Sequence, residues 1–102
     1  MWVRLTYLKV DPANADEVRD LYYSDEVSGV IRQQKGYRFH YLLESVNAPG
    51  ESISLTAWDS HENAEAYEQS KTYKELVDKL GSYFTAPPEL RTYEVREQGL
   101  HL

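Results

Sequence analysis

From Trp2 to Val10 the chain alternates, with Val3, Leu5 and Tyr7 on one side and Trp2, Arg4, Thr6 and Leu8 on the other, which predicts a β-strand. Asp11-Pro12 breaks the alternation. Asn14, with Glu17 three residues later, reads as a capping pair for a helix that carries Val18, Leu21 and Tyr22 on one stripe. Val27, Val30 and Ile31 fall on the opposite side of an uninterrupted helix, so a bend or restart is expected between Ser24 and Gly29. That break either opens a pocket entrance or is a simple loop.

Lys35-Gly36 closes this stretch. Tyr37, Phe39, Tyr41 and Leu43 then alternate with Arg38, His40, Leu42 and Glu44, a second strand with an aromatic stripe. Asn47-Ala48-Pro49-Gly50 reads as a turn into a third strand, where Ile53, Leu55 and Ala57 alternate with Ser54, Thr56 and Trp58; the short connection makes the two antiparallel. Two helices follow almost without a linker. Ser60 can cap one beginning at His61, and Ser70 or Thr72 a second in which Tyr73, Leu76, Val77, Leu80 and Phe84 recur at helical spacing. Pro87-Pro88 ends the helical region, and Leu90 to Arg96 reads as the last strand.

This order predicts an α+β domain of ferredoxin-like βαββαβ topology, a four-stranded antiparallel sheet covered on one face by helices. The more apolar face is expected under the helices, with Val3, Leu5, Tyr7, Tyr37, Phe39, Tyr41, Leu43, Ile53, Leu55, Ala57, Tyr93 and Val95. The other is mixed, with Trp2, Leu8, Val10, Leu42 and Trp58 among Arg4, Thr6, Arg38, His40, Ser54, Thr56, Thr92 and Glu94. Two tryptophans are too much for a solvated surface, so a second subunit is expected to cover it and form a homodimer with facing sheets.

At 102 residues the chain fits one domain, 1–102, with 97–102 as a short C-terminal tail. Seventeen acidic against eleven basic residues give a net charge of −6, which argues against nucleic acid and anionic membrane as partners. There is no cysteine, hence no disulfide framework, thiolate zinc site or cysteine nucleophile, and nothing suggests secretion. The chain enters a patterned strand at once, without an apolar leader or a membrane-length apolar run, so a soluble cytoplasmic protein is expected.

Nine tyrosines are the unusual feature. A buried tyrosine brings ring area together with a hydroxyl that wants a partner, so several in a small core suggest a polar-studded cavity. Tyr7, Tyr41, Trp58, Tyr67 and Tyr73 are the candidate lining residues. Trp58 serves equally as a hydrophobic wedge between helices and sheet, and the tyrosines equally as core filling. His40, beside Arg38, is the candidate polar group or base, the alternative being a histidine bonded within the dimer interface. His61 belongs to an exposed first helical turn, and His101 to the chain end. No HxH or HExxH spacing is present, and no metal is expected. Glu62, Glu65 and Glu68 read as a solvated helix face. No GxSxG elbow or glycine-rich phosphate loop occurs. RNA-binding domains share the strand order, but they need aromatic and basic residues on strand three, and Ile53-Ser54-Leu55-Thr56-Ala57 has neither.

Several of these segments together resemble the antibiotic biosynthesis monooxygenase family of dimeric α/β-barrel proteins. They are the opening strand with Asp11-Pro12, Lys35-Gly36-Tyr37, Trp58-Asp59-Ser60 with Ala64, Ala66-Tyr67, Ser70 and Tyr73, and Pro88-Glu89 leading into Tyr93-Glu94-Val95. The resemblance implies a dimeric α/β barrel with a cavity between sheet and helices. It also implies cofactor-independent monooxygenase chemistry on a small quinol or polyphenolic aromatic, with no cofactor. The alternative is a non-catalytic dimer that binds a small ligand or serves a stress-related role. A haem-degrading branch of the family uses an Asn, a Trp and a His. Those positions fall near Val3 or Leu5, on Tyr67 and on Val77, and none matches.

Overall fold

The computed structural model describes residues 1–96 and 99. The expected tail and His101 otherwise lie outside the described residues. Strand β1 (Trp2–Lys9) is followed by a 3₁₀ turn (Pro12–Asn14), then α1 (Ala15–Tyr22) and α2 (Ser28–Ile31). The hairpin β2 (Tyr37–Glu44) and β3 (Glu51–Trp58), the helix pair α3 (His61–Glu68) and α4 (Lys71–Gly81), and β4 (Glu89–Glu94) complete the chain. All strand pairs are antiparallel and the spatial order is β2-β3-β1-β4, the α+β ferredoxin-like arrangement expected from the pattern. Among the described residues no helix is long and apolar enough to cross a membrane.

Local chemistry explains the boundaries. Ser60 Oγ accepts from Asn63 N at 3.1 Å and Ser70 Oγ from Tyr73 N at 3.1 Å, so Ser70 rather than Thr72 caps α4. Asn14 makes no side-chain cap. Asp11 does the capping instead, its Oδ1 accepting from Ala13 N at 2.9 Å, because Pro12 sets the first turn and the chain enters α1 through that 3₁₀ step. The restart after Ser24 is real, with α2 packing Val27, Ser28 and Ile31 inward. The hairpin turn closes through Ser45 N to Glu51 O (2.9 Å) and Glu51 N to Ala48 O (3.0 Å), with Gly50 at φ +89°. Beside the edge strand β2, Arg19 of α1 forks onto Glu44, Nε to Oε2 at 2.8 Å and Nη2 to Oε1 at 2.9 Å. The Tyr23 hydroxyl accepts from the Leu42 backbone N–H at 2.7 Å.

The two sheet faces are the reverse of the pattern-based assignment. The mixed face lies under the helices. Trp58 stacks on Tyr67 (4.9 Å between centroids), Arg4 reaches Glu68 (3.3 Å), Ser54 bonds the Tyr22 hydroxyl (2.8 Å) and Trp2 lies on His61 (4.6 Å). The physical reason is complementarity. The helices bring Tyr22, Ile31, Tyr67, Leu76 and Leu80, large side chains that need a floor with small members such as Ser54 and Thr56. The aromatic-rich face looks outward, with Tyr7, Tyr41, Leu43 and Tyr93 exposed. A bulge between Tyr37 and Phe39 shifts the alternation of β2 and brings Tyr37 onto the helix-covered face with His40.

Candidate functional site

Between sheet and helices lies a cavity, partly open to solvent, with about 60 Å³ accessible to the centres of water-sized molecules. Its floor is Arg4, Thr6, Leu8, Ser54 and Thr56 from β1 and β3. Its walls are Tyr22, Val27 and Ile31 on one side and Tyr67, Tyr73, Leu76, Val77 and Leu80 on the other, with Phe84 and Pro88 at one end. The α4 wall follows from the helical spacing of its apolar residues, which turns Leu76 and Leu80 inward.

Among the described residues Arg4 is the only charged side chain lining the cavity, and it is 2% exposed. Its Nη2 stands 3.3 Å from Glu68 Oε2, close enough for charge attraction, yet without a hydrogen bond. Both Nε and Nη2 are buried without a hydrogen-bond partner among the described residues. The Tyr73 ring lies 5.3 Å from the guanidinium carbon, a cation–π contact. Burial pushes the Tyr67 hydroxyl well above its ordinary range, with neighbouring Tyr73 and Tyr22 adding to the effect and Arg4 opposing it. Tyr67 therefore stays protonated, a hydrogen-bond donor, throughout the neutral range. Tyr22 is held high for the same first reason, loss of solvent.

Of the residues singled out from sequence, the structure brings Tyr67 and Tyr73 together on the cavity wall, 5.3 Å between ring centroids. Trp58 sits behind them, fully buried, as the wedge that joins β3 to the helices. Tyr7 and Tyr41 lie on the far face of the sheet, Tyr41 53% exposed, as a consequence of the face reversal. Arg38 is exposed on β2.

His40 is on the helix-covered side but outside the cavity lining, and its hydrogen bonds fix its role. Ser28 Oγ gives its single proton to the Tyr22 carbonyl (2.6 Å), so it accepts from His40 Nε2–H (2.7 Å); in the neutral ring that burial favours, Nδ1 accepts from the Tyr37 hydroxyl (2.6 Å). This is the neutral imidazole. Burial, with Arg32 nearby, lowers the His40 pKa from its ordinary value and agrees with that state. Ser28, its proton committed to a carbonyl, is not a nucleophile. Arg4 and Tyr22 were not among the sequence candidates for the site. The pattern assigns Arg4 to the sheet face away from the helices, and Tyr22 reads as one more member of a helix stripe.

The fold and this covered cavity define an α+β domain with an aromatic-walled pocket between its layers. A sequence profile described as antibiotic biosynthesis monooxygenase matches residues 1–79, and the chain belongs to that family. No curated protein sequence matches it. Among solved structures it is similar to a Deinococcus radiodurans protein assigned to the same family, with 18% identity, TM-score 0.80 and coverage of 100% of this chain and 99% of that one. It is also similar to SnoaB of Streptomyces nogalater, described as a cofactor-independent oxygenase and solved as an N63A mutant, with 15% identity, TM-score 0.77 and coverage of 98% and 97%. Rv0793 of Mycobacterium tuberculosis matches at 18% identity and TM-score 0.75, covering 97% and 98%.

Proposed function

We propose that the protein is a cytoplasmic, homodimeric, cofactor-independent monooxygenase that oxidises a small quinol or polyphenolic aromatic in the cavity between sheet and helices. The observation that carries this reading is the pocket itself, walled by Tyr22, Tyr67 and Tyr73 in a chain of this family. The electrons come from the substrate. An anthrone-type methylene loses both C–H bonds, one oxygen atom of O₂ becomes its carbonyl oxygen, and the other leaves as water with the two hydrogens. A quinol likewise ends as a hydroxyquinone and water. The protein's share is to orient the ring, favour its anion and exclude bulk water. Tyr67, kept protonated, donates to the substrate oxygen, while Val27, Ile31, Leu76 and Leu80 keep the site dry. The cavity as it stands has room for only a few water-sized molecules, so a ring enters only when its walls open.

The test is oxygen uptake with a hydroquinone or an anthrone, without added metal or flavin. Uptake above the autoxidation blank is expected, with Tyr67→Phe about tenfold slower or worse, as for loss of a donor to developing negative charge. No uptake would favour the second reading, a non-catalytic small-ligand-binding dimer, which the small size of the cavity and its tyrosine filling support.

The dimer interface in this proposal is the outward sheet face, where Tyr7, Tyr41, Leu43 and Tyr93 are exposed alongside half-buried Val3, Leu5, Phe39 and Leu55. Sedimentation at micromolar concentration should give twice the chain mass. A single-chain species throughout that range would remove the interface.

A further inference from the structure

We infer that the cavity takes its ligand as an oxyanion, with a phenolate, enolate or carboxylate oxygen of a small aromatic molecule seated on the side-on fork of Arg4. This rests on the reading of the cavity as the site of a substrate anion and adds the residue that holds it. The two orphaned nitrogens, Nε and Nη2, form the edge of a guanidinium that receives oxygens in parallel. The same chain shows that edge in use, where Arg19 puts Nε and Nη2 onto the two oxygens of Glu44. At Arg19 the fork is at the surface and filled. At Arg4 it is buried and empty of hydrogen bonds among the described residues, in a side chain that lines the cavity.

Such an arrangement is costly for stability alone. A buried cation whose donors are unmet pays its desolvation without full return, and among the described residues only Glu68, itself 36% exposed at its side chain, offsets the charge. The other polar groups of the lining are hydroxyls: Thr6, Ser54 and Thr56 on the floor, and Tyr22, Tyr67 and Tyr73 on the walls. Among the described residues no carboxylate lines the cavity, and Glu68 meets Nη2 by charge attraction without a hydrogen bond. One fixed positive charge among hydroxyl donors and apolar walls selects an aromatic ring that carries a negative oxygen and discriminates against its neutral ether or ester, which accepts from the fork without the charge.

The experiment uses 4-nitrophenol, whose absorbance reports its own ionisation, with 4-nitroanisole as the neutral analogue and 4-nitrobenzoate as the carboxylate analogue. Bound 4-nitrophenol is expected to ionise at least about one pH unit lower than free, and the phenolate to bind about ten- to a hundredfold tighter than 4-nitroanisole, the scale of a charge-assisted hydrogen bond. Comparison with 4-nitrobenzoate shows whether one oxygen or two is preferred. Arg4→Met should abolish both the ionisation shift and the preference, and Arg4→Lys should restore part of each. Arg4→Met should also keep or raise the melting temperature, since it removes a poorly met buried charge; a purely structural arginine would lower it. Equal binding of nitrophenol and nitroanisole, an unchanged preference in Arg4→Met, or no binding of any probe at millimolar concentration would overturn the inference. Its failure is separable from that of the oxygenase reading. Arginine-dependent ionisation without oxygen uptake leaves the anion site standing, and oxygen uptake indifferent to Arg4→Met leaves the oxygenase standing without it.

Discussion

Replacing Trp58 with alanine is expected to destabilise the protein by about 3–5 kcal/mol, the usual cost of emptying a buried aromatic site. Trp58 is 0% exposed, stacks on Tyr67 and meets the Tyr37 ring edge-on at 6.4 Å. It also donates from Nε1 to Thr56 Oγ1 at 2.9 Å, so truncation strands a buried hydroxyl as well as opening a void. A small domain has about 5–15 kcal/mol in hand, and the alanine variant stands close to unfolding. Trp58→Phe keeps most of the ring area, loses the hydrogen bond and should fall between the two. Urea titration at one fixed protein concentration measures both, and an alanine cost below about 1 kcal/mol would contradict the wedge role.

Gly50→Ala should be the most damaging of the small substitutions. Gly50 has φ +89°, and a Cβ there runs into the Val10 carbonyl oxygen and against Pro12. The contact cannot relax easily, because Val10 N donates to Gly50 O at 2.8 Å and fixes the two backbones together. A left-handed penalty of about 1–2 kcal/mol joins an overpacking cost of about 1–3 kcal/mol. Gly81→Ala is the contrast. It lies at the end of α4 with ordinary backbone and open space at its Cβ, where alanine gains about 0.5–1 kcal/mol of helix preference. Thermal melts of the two variants should move in opposite directions. A Gly50→Ala protein as stable as the parent would mean that the hairpin rearranges freely.

The elements were legible because their signals are local: alternation in β1, β2 and β3, the serine caps of α3 and α4, the break after Ser24. The assignment of faces was not. A strand offers two sides with the same period, and the side with more aromatic residues reads as the core. The rule that decided otherwise is a property of the pair of layers. Helices that present Tyr22, Tyr67, Leu76 and Leu80 seat on a floor with Ser54 and Thr56 in it, which no strand reveals alone. The misplaced strand residues of the site follow from that: Tyr7 and Tyr41 lie outward, while Arg4 lies in the cavity. Tyr67 and Tyr73 were legible because a helical stripe fixes its face more narrowly than a strand does. The bulge at Tyr37 and Phe39, which joins Tyr37 to His40, has no signal in the residues on either side of it.

The bond between the Tyr23 hydroxyl and the Leu42 N–H reaches beyond this chain. An edge strand with free main-chain donors is a template for any extended segment it meets, and this one has a phenol already seated at mid-strand, backed by the Arg19–Glu44 fork at its end. A foreign strand docking beside β2 would first have to evict that phenol. The β2 rim is thus guarded against fibril-like growth, while the broad outer face of the sheet remains free for orderly pairing.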